Sequence, residues 1–242
     1  MSAELPISET FTSIQGEGAL TGTPSHFIRV SGCNLRCSWC DTPYASWKPE
    51  GEPRTIDALV DEAKASGVRH AVLTGGEPML FDAIEPLSCA LRASGLHITI
   101  ETAGTIARDP LRERVGLACD LMSLSPKLAS STPIGDPRDP TGAWAERHEQ
   151  RRLDFATLQQ LLDDYPARQL KFVATAPEDL DEIESVLRRL SGWRPDEVML
   201  MPEGVTVPSP DDVRWVVDAC LERGWRFCPR VHIQLFGDTR GT

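Results

Sequence analysis

Six short apolar runs alternate with amphipathic stretches along most of this chain, and that rhythm restricts its fold more than any other feature. The runs are His26–Val30, His70–Leu73, His97–Ile100, Asp120–Leu124, Leu170–Ala174 and Val198–Met201, each of strand length. Between them, Thr55–Ser66 places Ile56, Leu59, Val60 and Ala63 on one helical stripe, with Thr55 at the N-cap and Gly67 as a stop. Asp82–Ser94 before Gly95, Phe155–Tyr165, Pro177–Leu190, and Pro210–Arg223 before Gly224 read as further helices. Alternation of this kind predicts a parallel sheet with crossover helices. Six βα units fall short of the eight that close a barrel. The expected architecture is therefore α/β, an open partial TIM-type barrel, in a single domain over residues 1–242. A doubly wound sheet is the alternative, but the chain carries no GxGxxG fingerprint. Residues 128–152 break the rhythm with Pro, Gly, Ser and charge, and read as an insertion or lid.

Composition narrows the partners. The net charge is −11, from 25 basic and 36 acidic residues, which argues against nucleic acid as a partner because a polyphosphate would be repelled. No apolar run approaches the roughly 18–20 residues that span a bilayer, so no membrane association is expected. Met1 to Thr12 carry acids and no basic n-region, which predicts a cytoplasmic protein rather than a secreted one. Seven cysteines, an odd number, then argue against a disulfide framework. Cys89, Cys119 and Cys220 sit in apolar or helical contexts and read as small buried hydrophobes.

The remaining chemistry concentrates in GCNLRCSWCDTPYASW, Gly32 to Trp47, which holds Cys33, Cys37 and Cys40 within eight residues. A structural zinc site needs four ligands, and the nearest histidines in sequence are His26 and His70. Two readings stay open on the loop alone: a Cys3His zinc site completed from afar, or a 4Fe–4S cluster with one iron free of protein ligands.

The Cys-x3-Cys-x2-Cys spacing, with Trp39 just before the third cysteine, resembles the signature of the radical S-adenosylmethionine superfamily. The resemblance implies a 4Fe–4S cluster on Cys33, Cys37 and Cys40, with S-adenosylmethionine chelating the free iron and Trp39 near its adenine. Leu73-Thr74-Gly75-Gly76-Glu77-Pro78 is similar to the superfamily's second motif, which holds the methionine amine; two glycines also let backbone approach a ligand closely. Glu101, at the end of the third run, is suited to ribose hydroxyls, and Ser125-Pro126-Lys127 closes the fourth. Lys171 interrupts an apolar strand, where a charge must be paired or face a cavity. All of these fall at C-terminal strand ends, the catalytic face of a barrel.

The N-terminal SIQGEG segment, the FIR strand, CNLRCSWCDT, LTGGEP, ETAGT, SPK, LKFV and the ending QLFGDTRG together resemble the 7-carboxy-7-deazaguanine synthase family, from Phe11 to nearly the last residue. This implies conversion of 6-carboxy-5,6,7,8-tetrahydropterin to 7-carboxy-7-deazaguanine and ammonia, a step towards queuosine and other deazapurines. A hydrogen is abstracted at C6, the ring contracts, and S-adenosylmethionine is re-formed. The resemblance assigns Trp39, Cys40, Asp41, Gly76, Glu77, Glu101, Ser125, Pro126, Lys127 and Lys171 to the cofactor. It assigns Ile14, Gln15, Gly16, Glu17, Arg29 and Thr74 to the pterin, and Thr42 to a Mg2+ ion. Arg29 is suited to pair the substrate carboxylate. A flavodoxin or ferredoxin-type reductant and a homodimer are the partners implied. In other members the chain terminus touches substrate, and the ending here matches only some of them. Another radical enzyme, such as a glycyl-radical activase, and a non-catalytic zinc-binding protein are the alternatives. An activase must admit a protein loop, whereas the SIQGEG segment is expected to close over a small planar ligand.

Overall fold

The computed structural model describes residues 3–242. Its elements are β1 (Glu4–Ile14), β2 (Pro24–Val30), β3 (Glu52–Thr55), α1 (Ile56–Ala65), β4 (His70–Gly75), α2 (Ile84–Ala93), β5 (His97–Thr102) and β6 (Leu121–Leu124). They continue with α3 (Ala143–Arg151), α4 (Phe155–Asp164), β7 (Arg168–Ala174), α5 (Asp179–Arg189), β8 (Val198–Pro202), α6 (Pro210–Arg223), β9 (Arg226–Phe227) and α7 (Val231–Phe236). One nine-stranded sheet runs in the order β3-β1-β2-β4-β5-β6-β7-β8-β9. From β2 to β9 every neighbour is parallel, and β1 pairs antiparallel with both β2 and β3.

The six predicted strands are the consecutive parallel strands β2, β4, β5, β6, β7 and β8. Each step moves to the next strand in chain order and never reverses, which removes the doubly wound alternative. Crossovers of one hand then stack the helices on a single face of the sheet. The edge strands β3 and β9 do not pair, so the barrel stays open.

Pleating divides each strand between two buried surfaces. Ile28, Leu73, Ile100, Leu124, Phe172 and Leu200 join the helices in the main core. Full burial of each such side chain contributes roughly 1.5–3 kcal/mol. The alternate positions, among them Arg29, Thr74, Glu101, Ser123 and Lys171, line a cavity on the other face.

Local signals act as expected at the helix ends. Thr55 accepts from the Ala58 N–H at 3.3 Å, and Gly224 ends α6 in the left-handed region. Three strands escape the periodicity. β1 carries a bulge between Ile7 and Glu9 and a largely polar, partly buried stretch after it, with only Leu5 and Ile7 reaching the core. β3 has four residues and β9 two, too few for a pattern. Within 128–152 the structure forms α3, whose start is capped by Asp139: its carboxylate accepts from the Trp144 and Ala145 N–H groups at 2.9 and 2.8 Å. No helix is long and apolar enough to cross a membrane among the described residues. All seven cysteines are free.

Candidate active site

The C-terminal strand ends open into a cavity of about 770 Å3, within the size range of small-molecule sites. Cys33, Cys37 and Cys40 all line it from the loop that follows β2. That loop closes on itself: Gly32 N–H donates to Ala45 O at 2.8 Å and Cys40 N–H to Cys37 O at 3.3 Å. The Cys40 Sγ lies 3.1 Å from Ser46 Oγ and 3.7 Å from Thr42 Oγ1. Burial, with the nearby Glu77 carboxyl second, pushes the Cys33 thiol up to about 12. Burial likewise pushes Cys37 up to about 12, against the pull of Lys127. Free thiols at such values are neutral near pH 7 and poor nucleophiles, and only a bound cation turns them into thiolates.

Gly76 fits the sequence logic in a specific way. A Cβ there would run into the carbonyl oxygens of Gly32 and Ala45, so only glycine lets the β4 turn seat against the cysteine loop. Glu77 is set back from the cavity. Its side chain is fully buried behind the glycines and outside the cavity lining. Its carboxyl accepts from the Thr102 hydroxyl at 2.8 Å, the Ala103 N–H at 2.8 Å and the Met79 N–H at 3.1 Å, tying the end of β4 to the end of β5. Burial raises its pKa against those hydrogen bonds. Pro126 is also buried and off the lining, while its neighbours Ser125 and Lys127 face the cavity. Lys127 Nζ donates to Ser125 Oγ at 2.8 Å and lies 5.7 Å from the Trp39 ring centre.

Further in, residues from distant segments converge. Glu101 accepts from Gln15 Nε2 at 3.1 Å and from the Thr74 hydroxyl at 2.8 Å. Glu17 is clamped between Lys171 and Arg230, the latter at 3.0 Å through Nε. Arg230 also donates to Asp41 and to the Gly204 carbonyl. Burial works to raise the Glu17 carboxyl, but Lys171, Arg230 and His232 outweigh it and hold it well below the usual carboxylate range. Lys171, whose charge interrupts β7, thus answers to Glu17 and faces the cavity. Arg29 donates to Glu9 at 2.7 Å, and Glu9 also accepts from Tyr44 at 2.8 Å and Arg240 at 3.1 Å. Beside them Phe11 and Phe27 stack at 4.8 Å between ring centres.

Of the residues expected at the site, Ile14, Gln15, Gly16, Glu17, Arg29, Trp39, Asp41, Thr42, Thr74, Gly76, Glu101, Ser125, Lys127 and Lys171 join the three cysteines in lining this one cavity. Sequence reasoning missed Tyr44, Arg230, His232 and the 237–242 segment, all of which line it too. For the C-terminal residues the signal was a clustering of Arg and His in PRVHIQLFGDTRG; Tyr44 carried none. The tail is held by backbone: Val231 N–H donates to Gly16 O at 2.9 Å. A Cβ on Gly16 would overlap the His232 ring. Gln169 and Cys228 seat the SIQGEG turn from below, accepting from the Ala19 N–H at 2.8 Å and the Gly18 N–H at 3.1 Å.

Whether this loop suits a cluster or a zinc ion turns on a fourth ligand. The buried His148 lies beside it, but both ring nitrogens are engaged, by the Arg36 N–H at 3.1 Å and Ser131 Oγ at 2.9 Å. His70 is equally saturated between Ser25 and Thr99, and His26 bonds Thr12. Among the described residues no three His, Cys, Asp or Glu side chains converge on a position for a single ion. Three thiols around one cavity, next to a Trp39 indole N–H that is buried without a partner, fit a larger group with an open iron beside a second ligand.

Comparison with known proteins agrees. Residues 27–150 match the model of the radical SAM superfamily. The chain is 50% identical to the 7-carboxy-7-deazaguanine synthase of Rhodopirellula baltica, over 99% of this chain and 90% of that one. It is 47% identical to the 7-carboxy-7-deazaguanine synthase of Halobacterium salinarum, over 98% and 93%. The crystal structure of QueE from Escherichia coli superposes with a TM-score of 0.68 at 24% identity, covering 95% of each chain, which shows the shared fold.

Proposed function

Because this chain belongs to the 7-carboxy-7-deazaguanine synthase family of the radical S-adenosylmethionine superfamily, we propose that its cavity converts 6-carboxy-5,6,7,8-tetrahydropterin to 7-carboxy-7-deazaguanine and ammonia. It is an enzyme of that family, with the 4Fe–4S cluster and S-adenosylmethionine that the superfamily uses. The observation that carries the substrate reading is the convergence of the cysteine loop, the Gln15–Glu101–Thr74 junction and the clamped Glu17 on one cavity. Neither a glycyl-radical activase nor a zinc-binding protein accounts for relatives of this identity over the whole chain.

Cys33, Cys37 and Cys40 are assigned to the cluster. Trp39, Asp41, Gly76, Glu101, Ser125 and Lys127 are assigned to S-adenosylmethionine. When bound, these groups supply one-electron cleavage of a sulfonium and so a carbon radical able to take a hydrogen atom. The chain's own work is placement and exclusion of water. Ile14, Gln15, Gly16, Glu17 and Thr74 offer the pterin edge an amide, a carboxylate, a hydroxyl and backbone groups. Glu17, kept ionised by Lys171 and Arg230, remains a hydrogen-bond acceptor throughout the physiological range. Arg29 stands ready for the substrate carboxylate. Phe11, Phe27 and the 237–242 segment line the same cavity. Holding the radical and its target together is worth up to roughly 7–11 kcal/mol in favourable cases. A low-potential flavodoxin or ferredoxin is assigned as reductant, a homodimer as the assembly and the cytoplasm as the compartment.

The deciding experiment is anaerobic turnover with substrate deuterated at C6. Deuterium is expected in re-isolated S-adenosylmethionine, with many products per cofactor molecule. One methionine and one 5′-deoxyadenosine for each product would overturn the regenerating mechanism.

Thr42 is assigned to Mg2+, since a hard cation suits a hydroxyl together with substrate and water oxygens. It lines the cavity directly after the cysteine loop. Thr42→Ala is expected to shift the Mg2+ titration of activity to higher concentration while S-adenosylmethionine affinity stays unchanged. Superimposable Mg2+ titrations would remove Thr42 from the metal site.

A further inference from the structure

No residue of 128–152 lines the cavity. It packs instead against the outside of the cysteine loop. Ser38 N–H donates to Ser131 O at 2.8 Å, and the Arg138 guanidinium donates to Ser38 O at 2.6 Å. Arg36 lies over the Trp144 ring at 4.1 Å. Arg138 lies over Trp47 at 4.1 Å, whose indole N–H donates to Cys37 O at 2.9 Å.

At the centre of this contact is His148, on α3 and wholly buried. The Arg36 backbone N–H can only donate, so Nδ1 of His148 is an acceptor and the ring proton sits on Nε2. Nε2–H then donates to Ser131 Oγ at 2.9 Å, and the Ser131 hydroxyl in turn donates to Leu128 O at 2.6 Å. The direction of every bond in the chain is thereby determined. Its first member is the peptide midway between Cys33 and Cys37. The imidazole thus holds the backbone at Arg36, one residue before Cys37 and three after Cys33.

We propose that residues 128–152 are a brace for the cluster loop and that His148 is its positioning residue, presetting the cysteines before metal arrives. The inference rests on Cys33, Cys37 and Cys40 being the cluster ligands. The physical reason is pre-organisation: partners bonded directly to a metal's ligands alter metal affinity or activity about 10–100-fold when removed, and His148, which holds the residue next to Cys37, is expected at the low end of that range.

The test uses the full chain, reconstituted anaerobically, with three readouts besides activity: iron and sulfide per chain, the rate of iron loss to a ferrous chelator, and the electron paramagnetic resonance spectrum of the reduced cluster. His148→Ala is expected to lose iron about tenfold faster and to broaden that spectrum. His148→Asn, whose amide oxygen can accept from Arg36 N–H, is expected to recover much of the wild-type rate. Arg138→Ala, on the surface, is expected to move the rate in the same direction by less, and it decides the matter if His148→Ala does not fold by circular dichroism. Wild-type iron loss and spectrum in His148→Ala, or in Arg138→Ala where that variant decides, overturn the brace. A Cys37→Ala protein that keeps its cluster would overturn the ligand assignment instead, so the two failures are distinct.

Discussion

Cys37→Ala is expected to lose the cluster absorbance entirely and to bring turnover down to background, while the apo fold is kept. Only three protein thiols face the cavity from this loop, and His148 and His70 are engaged at both ring nitrogens. Binding must also strip protons from thiols that burial has raised to about 12, so each thiolate is gained only through metal coordination. With two ligands left, that proton cost falls on a weaker site. Cys37 contributes little to the main core, so secondary structure and melting of the apo protein are expected to stay near wild type. Iron analysis with optical spectra checks this. Full iron content in the variant would falsify the cluster assignment.

Glu17→Gln is expected to combine a large loss of activity with a marked loss of stability. Glu17 is the counter-charge for both Lys171 and Arg230, which are themselves largely buried. Removing one member of a buried ionic cluster leaves the others uncompensated, at a cost of about 3–5 kcal/mol. For a chain of this size that corresponds to a fall in Tm of roughly 6–20 °C. The pH dependence follows from the direction of the shift. The folded-state pKa of Glu17 lies below its ordinary value of 4.5, so its contribution is complete above that value and is lost as the pH falls below it. The stability gap between wild type and Glu17→Gln should therefore be widest near neutral pH and shrink on acidification below 4.5. A gap that is constant from pH 7 to pH 3 would exclude the clamp as its source.

Much of this was legible because chemistry and periodicity are local. The cysteine spacing, the glycine pair before Glu77 and the alternation of β2, β4, β5, β6, β7 and β8 with helices can all be read in windows of a few residues. Glu77 shows what such reading leaves open. Its position in the motif suggested a ligand contact, but whether a carboxylate faces a cavity or a neighbouring strand depends on the turn geometry that buries it under Ala103. The strand β1 was hidden for a related reason. With a bulge between Ile7 and Glu9 and polar residues at Ser8, Glu9, Thr10, Thr12 and Ser13, it has no continuous alternation to detect, yet it supplies Phe11 and Ile14 to the site.

By itself, then, the sequence determined the parallel α/β scaffold, the cluster-binding chemistry and the strand ends that carry it, since these depend on side-chain period and on residue type at short spacing. Only the tertiary structure decided that Arg230 joins Glu17 to Asp41 across 213 and 189 residues of chain. It also decided that the tail walls the cavity and that 128–152 packs against the cysteine loop. Each of these is a contact between charges or polar groups far apart in the chain. No local periodicity records such partners, because they meet only once the sheet has curled and brought its C-terminal strand ends together.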